Sequence, residues 1–252
     1  MSQKNQWHNT VVLVTGGGSG IGRDACLALG REGARVVIGN RSAAAGQAVV
    51  DEIISAGGQA IFKATDVACA TDCEALVQFA VDHYGRLDAA FNNAGLQREF
   101  NPIHETPIED LSETIDINLK GVLYMMKYEA AAMLKTGGGS IVNNASIFGL
   151  KGMPNTAYYI AAKHGVIGAT RAVALDYATQ DIRVNAICPG PIKTPSFDRV
   201  TGGDEHMYDD GVPMHRIGRP AEVTNAVLWL LSKQASYVTG TALSVDGGMS
   251  AE

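Results

Sequence analysis

Short runs of β-branched and other apolar residues alternate along the chain with longer stretches in which apolar residues recur every three or four positions. The short runs predict strands, because continuous apolar character suits a strand that is buried on both faces. The longer stretches predict helices with one apolar face, and regular alternation of the two is typical of a parallel sheet covered by helices. The predicted strands are residues 11–14, 36–38, 60–62, 87–91, 140–143, 183–187 and 242–245.

The predicted helices cover both faces of this sheet, and they span residues 23–31, 43–56, 71–84, 108–135, 156–179 and 221–231. A chain of 252 residues suits one large α/β domain. We therefore predict a doubly wound, seven-stranded parallel sheet in a single domain over residues 1–252. Only residues 195–213 interrupt the pattern, and this polar, glycine-rich segment predicts an irregular substrate lid rather than a plain surface loop.

Net charge and composition exclude several classes of function. The net charge is −6 and the 20 lysines and arginines are scattered along the chain, so nucleic acid is not an expected partner. The polar opening lacks the apolar core of a signal peptide, and no apolar run approaches the roughly 18 residues of a membrane span. We therefore expect a cytoplasmic protein without a membrane partner. The cysteines and histidines show no metal-ligand spacing, which predicts free thiols and no metal site.

A glycine-rich segment, Thr-Gly-Gly-Gly-Ser-Gly-Ile-Gly at residues 15–22, follows the first predicted strand and opens the first helix. Backbone N–H groups and the helix dipole at such a turn can bind a pyrophosphate, although a flexible turn without a ligand is the simpler alternative. Glycine is needed where a Cβ would block the turn, the ligand or the packing of the helix. The cofactor-binding candidates here are Gly16, Ser19, Gly20, Ile21 and Gly22.

The second predicted strand ends at Asn40 and Arg41. Dinucleotide-binding proteins that take NAD place an acidic residue at about this point, and no acid is present here. The Arg41 guanidinium instead matches a phosphate dianion, so the charge pattern favours NADP(H), with NAD(H) as the less favoured cofactor. An arginine that is merely solvated at the surface is the alternative.

Tyr159 and Lys163 are four residues apart in a predicted helix, so their side chains share one face. An ammonium near the phenol would lower the pKa of Tyr159 from its usual value of about 10 and make it a usable acid near neutrality. Ser146 follows a predicted strand shortly before this helix, and Asn118 is a polar residue inside another, otherwise apolar helix. These four residues are the candidate catalytic groups.

The glycine-rich turn, the Tyr-x-x-x-Lys pair, Ser146 and Asn118 together closely resemble the short-chain dehydrogenase/reductase family over nearly the whole chain. The resemblance implies a Rossmann-type fold, a bound nicotinamide cofactor and a homotetramer. It implies that Tyr159 exchanges a proton with the substrate oxygen and that Ser146 hydrogen-bonds the same oxygen. Lys163 is implied to hold the nicotinamide ribose, and Asn118 to bind, through its side chain or local backbone, a water that connects Lys163 to solvent.

The resemblance also implies cofactor contacts at the carboxyl ends of later strands, where ligands bind in open α/β sheets. The residues are Asp66 and Val67 near adenine, Asn93 and Ala94 along the cofactor, Pro189, Gly190, Ile192 and Thr194 near the carboxamide and pyrophosphate, and Tyr159 and Lys163. A helix cap at Asp66 and ordinary turns elsewhere are the interpretations that need no cofactor.

We therefore expect an NADP(H)-dependent alcohol dehydrogenase or carbonyl reductase that interconverts a ketone and a secondary alcohol. A 3-oxoacyl thioester reductase or a sugar or steroid dehydrogenase of the same family is an alternative. A non-catalytic dinucleotide-binding regulator is an alternative from another class, disfavoured because the candidate catalytic residues are all present. Mostly apolar residues predict an uncharged, fairly hydrophobic small-molecule substrate: Leu96, Gln97, Ile147, Phe148, Met153 and Phe197.

Overall fold

The computed structural model of the protein describes residues 6–251 and contains a seven-stranded sheet. Its strands are β1 (Val11–Thr15), β2 (Arg35–Asn40), β3 (Gln59–Ala64), β4 (Ala89–Asn92), β5 (Gly139–Asn144), β6 (Ile182–Pro189) and β7 (Ala242–Val245). Neighbouring strands are parallel, and their order is β3-β2-β1-β4-β5-β6-β7. The predicted fold class is confirmed. Because the chain winds outward in both directions from β1 and β4, a crevice forms at the carboxyl ends of these two strands.

Eight α-helices accompany the sheet in the described part of the chain: α1 (Gly20–Arg31), α2 (Ala43–Ser55), α3 (Ala70–Tyr84), α4 (Ile108–Ile115), α5 (Gly121–Thr136), α6 (Ala157–Tyr177), α7 (Pro195–Thr201) and α8 (Pro220–Leu231). Consecutive residues of a strand point to opposite faces. Val11 and Leu13 of β1 therefore pack in a core with α3, α5 and α6, whereas Val12 and Val14 pack with α1, α2 and α8. No helix within residues 6–251 combines the length and the apolar character that a bilayer crossing requires.

One predicted helix is interrupted in the structure. The sequence pattern predicts a single helix over residues 108–135, but a π-helical turn at Asp116–Lys120 separates α4 from α5. Asn118 lies in this turn, and both ends of its amide bond the backbone of Leu96. Leu96 N donates to Asn118 Oδ1 (2.9 Å), and Asn118 Nδ2 donates to Leu96 O (2.7 Å). The wider turn accommodates these bonds to a distant segment, which hydrophobic periodicity cannot predict.

The segment at residues 195–213 is only partly irregular. Its first part forms α7, because Pro195 suits the first helical position and the Thr194 hydroxyl caps the helix by accepting a hydrogen bond from Phe197 N at 3.2 Å. Gly202 ends the helix with a φ of 67°, in the left-handed region that favours glycine. Turns then continue to Pro213. The prediction of an irregular segment is therefore wrong for its first seven residues.

Candidate active site

The carboxyl ends of β1, β2, β4, β5 and β6 surround a cavity of about 550 Å³, at the crevice where the strand order reverses. Its wall contains the four candidate catalytic residues, Asn118, Ser146, Tyr159 and Lys163. It also contains every predicted cofactor-binding residue except Gly22 and every predicted substrate-lining residue except Met153, among the residues that the structure describes. The fold thus brings together two sets of residues that lie far apart in the sequence.

The glycine-rich turn at one end of the cavity has the geometry of an anion site. Gly16 and Gly20 have φ values of 67° and 53°, which side-chain-bearing residues rarely adopt. Within the described residues, the Ser19 side chain makes no capping hydrogen bond to α1. The N–H groups of the first helical turn have no acceptor within the helix either. Because these donors lie at the positive end of the helix dipole, the turn fits the pyrophosphate of a dinucleotide.

Gly22 packs beneath this turn and lies outside the cavity wall, so its predicted part in binding the cofactor stays a prediction. A Cβ on Gly22 would approach Asn93 Nδ2 and Gly16 O to 2.4 Å, so glycine is required for α1 to pack on the turn. Asn93 Nδ2 donates to Thr15 O (3.1 Å) and to Gly16 O (3.3 Å), and Asn144 Nδ2 donates to Asn93 Oδ1 (3.0 Å). These bonds connect the turn to the ends of β4 and β5.

At the end of β2 the structure adds a charge that the sequence pattern does not predict. Arg41 is exposed and lies on the cavity wall, as expected, while Asn40 Nδ2 donates to Ser42 O (2.8 Å) and fixes the turn after the strand. Arg41 Nη1 lies 3.8 Å from Glu113 Oε1, on α4. An acidic group is therefore present near Arg41, although it comes from a distant helix rather than from β2.

Tyr159, Lys163 and Ser146 meet at the opposite end of the cavity. The α6 helix presents Tyr159 and Lys163 on one face, with Lys163 Nζ 5.6 Å from the centroid of the Tyr159 ring. Lys163 is buried and donates through Nζ to Asn144 O at 2.7 Å. The Ser146 hydroxyl accepts a hydrogen bond from Phe148 N (3.1 Å). Its own proton can therefore be donated to a ligand in the cavity.

Burial controls the protonation of these groups. It raises the pKa of the Tyr159 phenol to about 12, and the hydrogen bond with the Ser146 side chain acts in the opposite direction. Burial lowers the pKa of the Lys163 ammonium to about 8, against the effect of the nearby Cys188. Burial thus raises the pKa of Tyr159 in this structure, and the lowering of that pKa by Lys163 stays a prediction. At neutral pH the phenol is protonated, which is the form that can donate a proton.

Each end of the Asn118 amide makes one hydrogen bond with the backbone of Leu96, which leaves one N–H and one lone pair of the amide for another partner. The side chain therefore holds the segment after β4 against the π-helical turn. Binding of a water through the side chain or through the local backbone stays a prediction. A π turn shifts the backbone hydrogen bonds by one residue, and such turns are frequent at functional sites.

The substrate end of the cavity includes Tyr208, which lies in the predicted lid, and Met249, which the sequence analysis missed. Tyr208 packs on Phe197, with ring centroids 6.1 Å apart, and Met249 reaches the wall from the end of the chain. Lys151 Nζ donates to Met249 O at 2.5 Å and holds it there. Met153 is partly buried outside the wall. No sequence signal marks Met249, whereas Asn144, also missed, could have been found from its position at the end of β5.

A metal centre has no ready set of ligands in this part of the fold. Within residues 6–251, no group of three or more histidine, cysteine, aspartate or glutamate side chains is arranged to hold a metal ion. The polar groups on the cavity wall are mainly hydroxyl, amide, ammonium and guanidinium groups together with backbone N–H groups, with the Asp66 carboxylate beside them. This donor set suits a phosphate-bearing organic molecule.

Comparison with known proteins agrees with this geometry. The family model described as "Enoyl-(Acyl carrier protein) reductase" matches residues 16–250. The chain is 46% identical to a cyclohexanol dehydrogenase of Acinetobacter sp. (strain SE19) over 243 residues, which are 96% of each protein. It is 42% identical to a 2,5-dichloro-2,5-cyclohexadiene-1,4-diol dehydrogenase of Sphingobium indicum over 244 residues, covering 95% of this chain and 96% of that protein.

A solved structure shares the whole architecture. It is a short-chain type dehydrogenase/reductase from Mycobacterium marinum, 32% identical, with a TM-score of 0.93, and the match covers 98% of both chains. Similarity on this scale extends to every strand of the sheet and to the segments that surround the cavity.

Proposed function

Because the chain belongs to the short-chain dehydrogenase/reductase family, we propose that it is an NADP(H)-dependent oxidoreductase that interconverts a ketone and a secondary alcohol by hydride transfer. The observation that carries this proposal is the meeting of Asn118, Ser146, Tyr159 and Lys163 on the wall of one cavity, beside the glycine-rich turn. The names of two relatives, both alcohol dehydrogenases, support the reaction class. A regulator that only binds a dinucleotide would not need these four residues.

When bound, the nicotinamide dinucleotide supplies the hydride for ketone reduction. The Tyr159 phenol donates its proton to the carbonyl oxygen, and its pKa of about 12 keeps that proton in place at neutral pH. The Ser146 hydroxyl donates a hydrogen bond to the same oxygen as negative charge develops there. The Lys163 ammonium stabilises the negative charge that forms on the phenol. In alcohol oxidation the same groups act in reverse.

For the cofactor, Arg41 supports NADP(H) over NAD(H). Its guanidinium is exposed at the end of β2 and can pair with a phosphate on the adenosine ribose. The glycine-rich turn would hold the pyrophosphate, and Asp66 and Val67 would contact adenine. Tyr159 and Lys163 would hold the nicotinamide ribose, with Asn93, Ala94, Pro189, Gly190, Ile192 and Thr194 along the rest of the cofactor.

The substrate end of the cavity supports an uncharged cyclic substrate. Its wall is mainly apolar, with Leu96, Ile147, Phe148, Phe197, Tyr208 and Met249 as its large side chains. The relatives named above are dehydrogenases of cyclohexanol and of a cyclohexadiene diol, both alcohols of six-membered carbon rings. We therefore propose a secondary alcohol on such a ring, with its ketone, as the substrate pair. A 3-oxoacyl thioester reductase is the second candidate, because the description of the matching family model also names a reductase of acyl groups bound to a carrier protein.

Residues 195–213 are proposed to close this end of the cavity as a lid. Phe197 and Tyr208 of this segment lie on the wall, and Lys193 Nζ holds it through Asp198 Oδ1 (2.8 Å) and Glu205 Oε1 (3.1 Å). We further propose assembly into a homotetramer. A cytoplasmic location is also part of the proposal, since the four cysteines are free thiols.

The test is turnover of cyclohexanone with NADPH and NADH, and of cyclohexanol with the oxidised cofactors. We expect Tyr159→Phe to lower kcat by roughly 10²- to 10⁴-fold, the usual contribution of general acid catalysis. The control is Tyr158→Phe, because Tyr158 is the neighbouring residue but donates its hydroxyl to Glu99 O (2.7 Å). Parental activity in Tyr159→Phe would contradict the proposed acid. Absence of turnover with every cyclic ketone tried would contradict the proposed substrate.

A further inference from the structure

Four charged side chains meet between the end of β2 and α4. The Arg98 guanidinium donates to Glu113 Oε2 in a close ion pair, and Arg98 Nε also lies 3.3 Å from Asp110 Oδ1. The other carboxylate oxygen of Glu113, Oε1, is 3.8 Å from Arg41 Nη1. Glu113 therefore lies between two arginines, tightly bound to Arg98 and only loosely to Arg41.

This arrangement leaves Arg41 available while fixing a negative charge beside it. The Arg41 side chain is 70% exposed, so most of its N–H donors remain free for an anion. Arg98 orients Glu113, because it occupies Oε2 and so directs Oε1 towards Arg41. An anion bound by Arg41 would share that guanidinium with the Glu113 carboxylate, and the two negative charges would repel each other. A neutral hydroxyl at the same place would meet no repulsion and could donate a hydrogen bond to the carboxylate.

We propose that Glu113 is a specificity-determining residue that weakens the preference of the site for the 2′-phosphorylated dinucleotide. Through it, the preference for NADP(H) over NAD(H) is smaller than Arg41 alone would give. Arg98 is a positioning residue for Glu113. The inference rests on the proposed cofactor site. It assigns the discrimination between a 2′-phosphate and a 2′-hydroxyl to Arg41 and Glu113 together rather than to Arg41 alone.

The test is calorimetric titration of the full-length protein with adenosine 2′,5′-bisphosphate and with 5′-AMP, two fragments that differ by the phosphate in question. Glu113→Gln keeps the shape of the side chain and removes its charge. We expect the Kd of the bisphosphate to fall by roughly fivefold to tenfold, the order of the repulsion between a carboxylate and a phosphate a few ångströms apart in water. The Kd of 5′-AMP should change by less than about twofold. The same change in ratio should appear for NADP⁺ relative to NAD⁺.

The matched control is Asp110→Asn. Asp110 also pairs with Arg98 but has no contact with Arg41 among the described residues, so this variant removes a negative charge without changing the neighbour of Arg41. The proposal requires that Asp110→Asn leave the ratio of the two Kd values unchanged. An unchanged ratio in Glu113→Gln would overturn it, and so would an equal change in both variants, since that would be an effect of net charge only. If the unaltered protein binds neither fragment, the proposed cofactor site itself fails, and this inference fails with it. A Tm equal to that of the parent protein shows for each variant that the fold is intact.

Discussion

The ability of Tyr159 to donate a proton depends on Lys163, whose own pKa lies near neutral pH. Burial lowers the pKa of Lys163 to about 8 and raises that of Tyr159 to about 12. The phenol is therefore protonated throughout the neutral range, and the variable quantity is the charge on Lys163. As the phenol loses its proton, negative charge develops on its oxygen, and an ammonium on the same helix face stabilises that charge whereas a neutral amine does not.

We accordingly predict that kcat/KM for ketone reduction falls as the pH rises through about 8, because Lys163 loses its charge there while Tyr159 remains protonated. The measurement is a pH profile of kcat/KM between pH 6 and about pH 10, which reports the pKa values of the free enzyme. Lys127→Met provides the control, since Lys127 is exposed on α5 and its removal should not move the profile. A profile that stays level to the upper limit would show that the charge on Lys163 does not assist proton transfer.

At the scale of elements, a buried polar network lies directly behind the site. Asn92 Nδ2, at the end of β4, donates to Glu129 Oε2 on α5 (2.9 Å) and to Asn143 Oδ1 on β5 (3.0 Å). Asn143 Nδ2 donates in turn to Thr170 Oγ1 on α6 (2.9 Å). The next residues along β4 and β5 are Asn93 and Asn144, whose polar groups hold the glycine-rich turn and Lys163. The network therefore fixes the relative positions of the elements that carry both ends of the cavity.

This network makes stability depend on pH, because burial raises the pKa of Glu129 from its ordinary 4.5 to about 8. Between these values the folded protein holds a proton that the unfolded chain lacks, so the free energy of unfolding falls as the pH rises from about 5 to about 8. Its neighbour Cys73 does not contribute, since burial raises the pKa of that thiol to about 12. The loss has an upper limit of roughly 5 kcal/mol.

We predict that Glu129→Gln, which resembles the protonated acid, has a stability close to that of the parent at pH 5.5. At pH 8.5 we expect it to have a Tm higher by several degrees. Thermal unfolding at the two pH values measures the difference. Glu74→Gln on the exposed face of α3 serves as the control and should show no such dependence. Equal Tm values for Glu129→Gln and the parent at pH 8.5 would mean that Glu129 is not held protonated by the fold.

At the scale of the whole molecule, the sequence predicts local features well and contacts between distant segments poorly. The strands, the glycine-rich turn and the pairing of Tyr159 with Lys163 follow from spacing within one element, and the structure contains them. The acid beside Arg41, the π-helical turn at Asn118 and the position of Met249 depend on contacts made across the fold. Hydrophobic periodicity carries no information on such contacts, and burial determines pKa values only after the chain has folded.

The outer surface of α6 supports the last prediction, that the protein is a homotetramer. Gly168, Ala172 and Leu175 follow one another along an exposed stripe of this helix, and Leu175 is 82% exposed. Small residues allow a second helix to approach closely, and covering a large exposed apolar side chain stabilises the assembly.

We expect sedimentation equilibrium at micromolar concentration to give about four times the 26.5 kDa mass of one chain. Leu175→Glu should lower that mass, because an unpaired charge in a helix contact is costly. Ile54→Glu on α2, 54% exposed, should leave it unchanged. A parental mass of one chain, or an unaltered mass in Leu175→Glu, would show that this surface of α6 is not an interface.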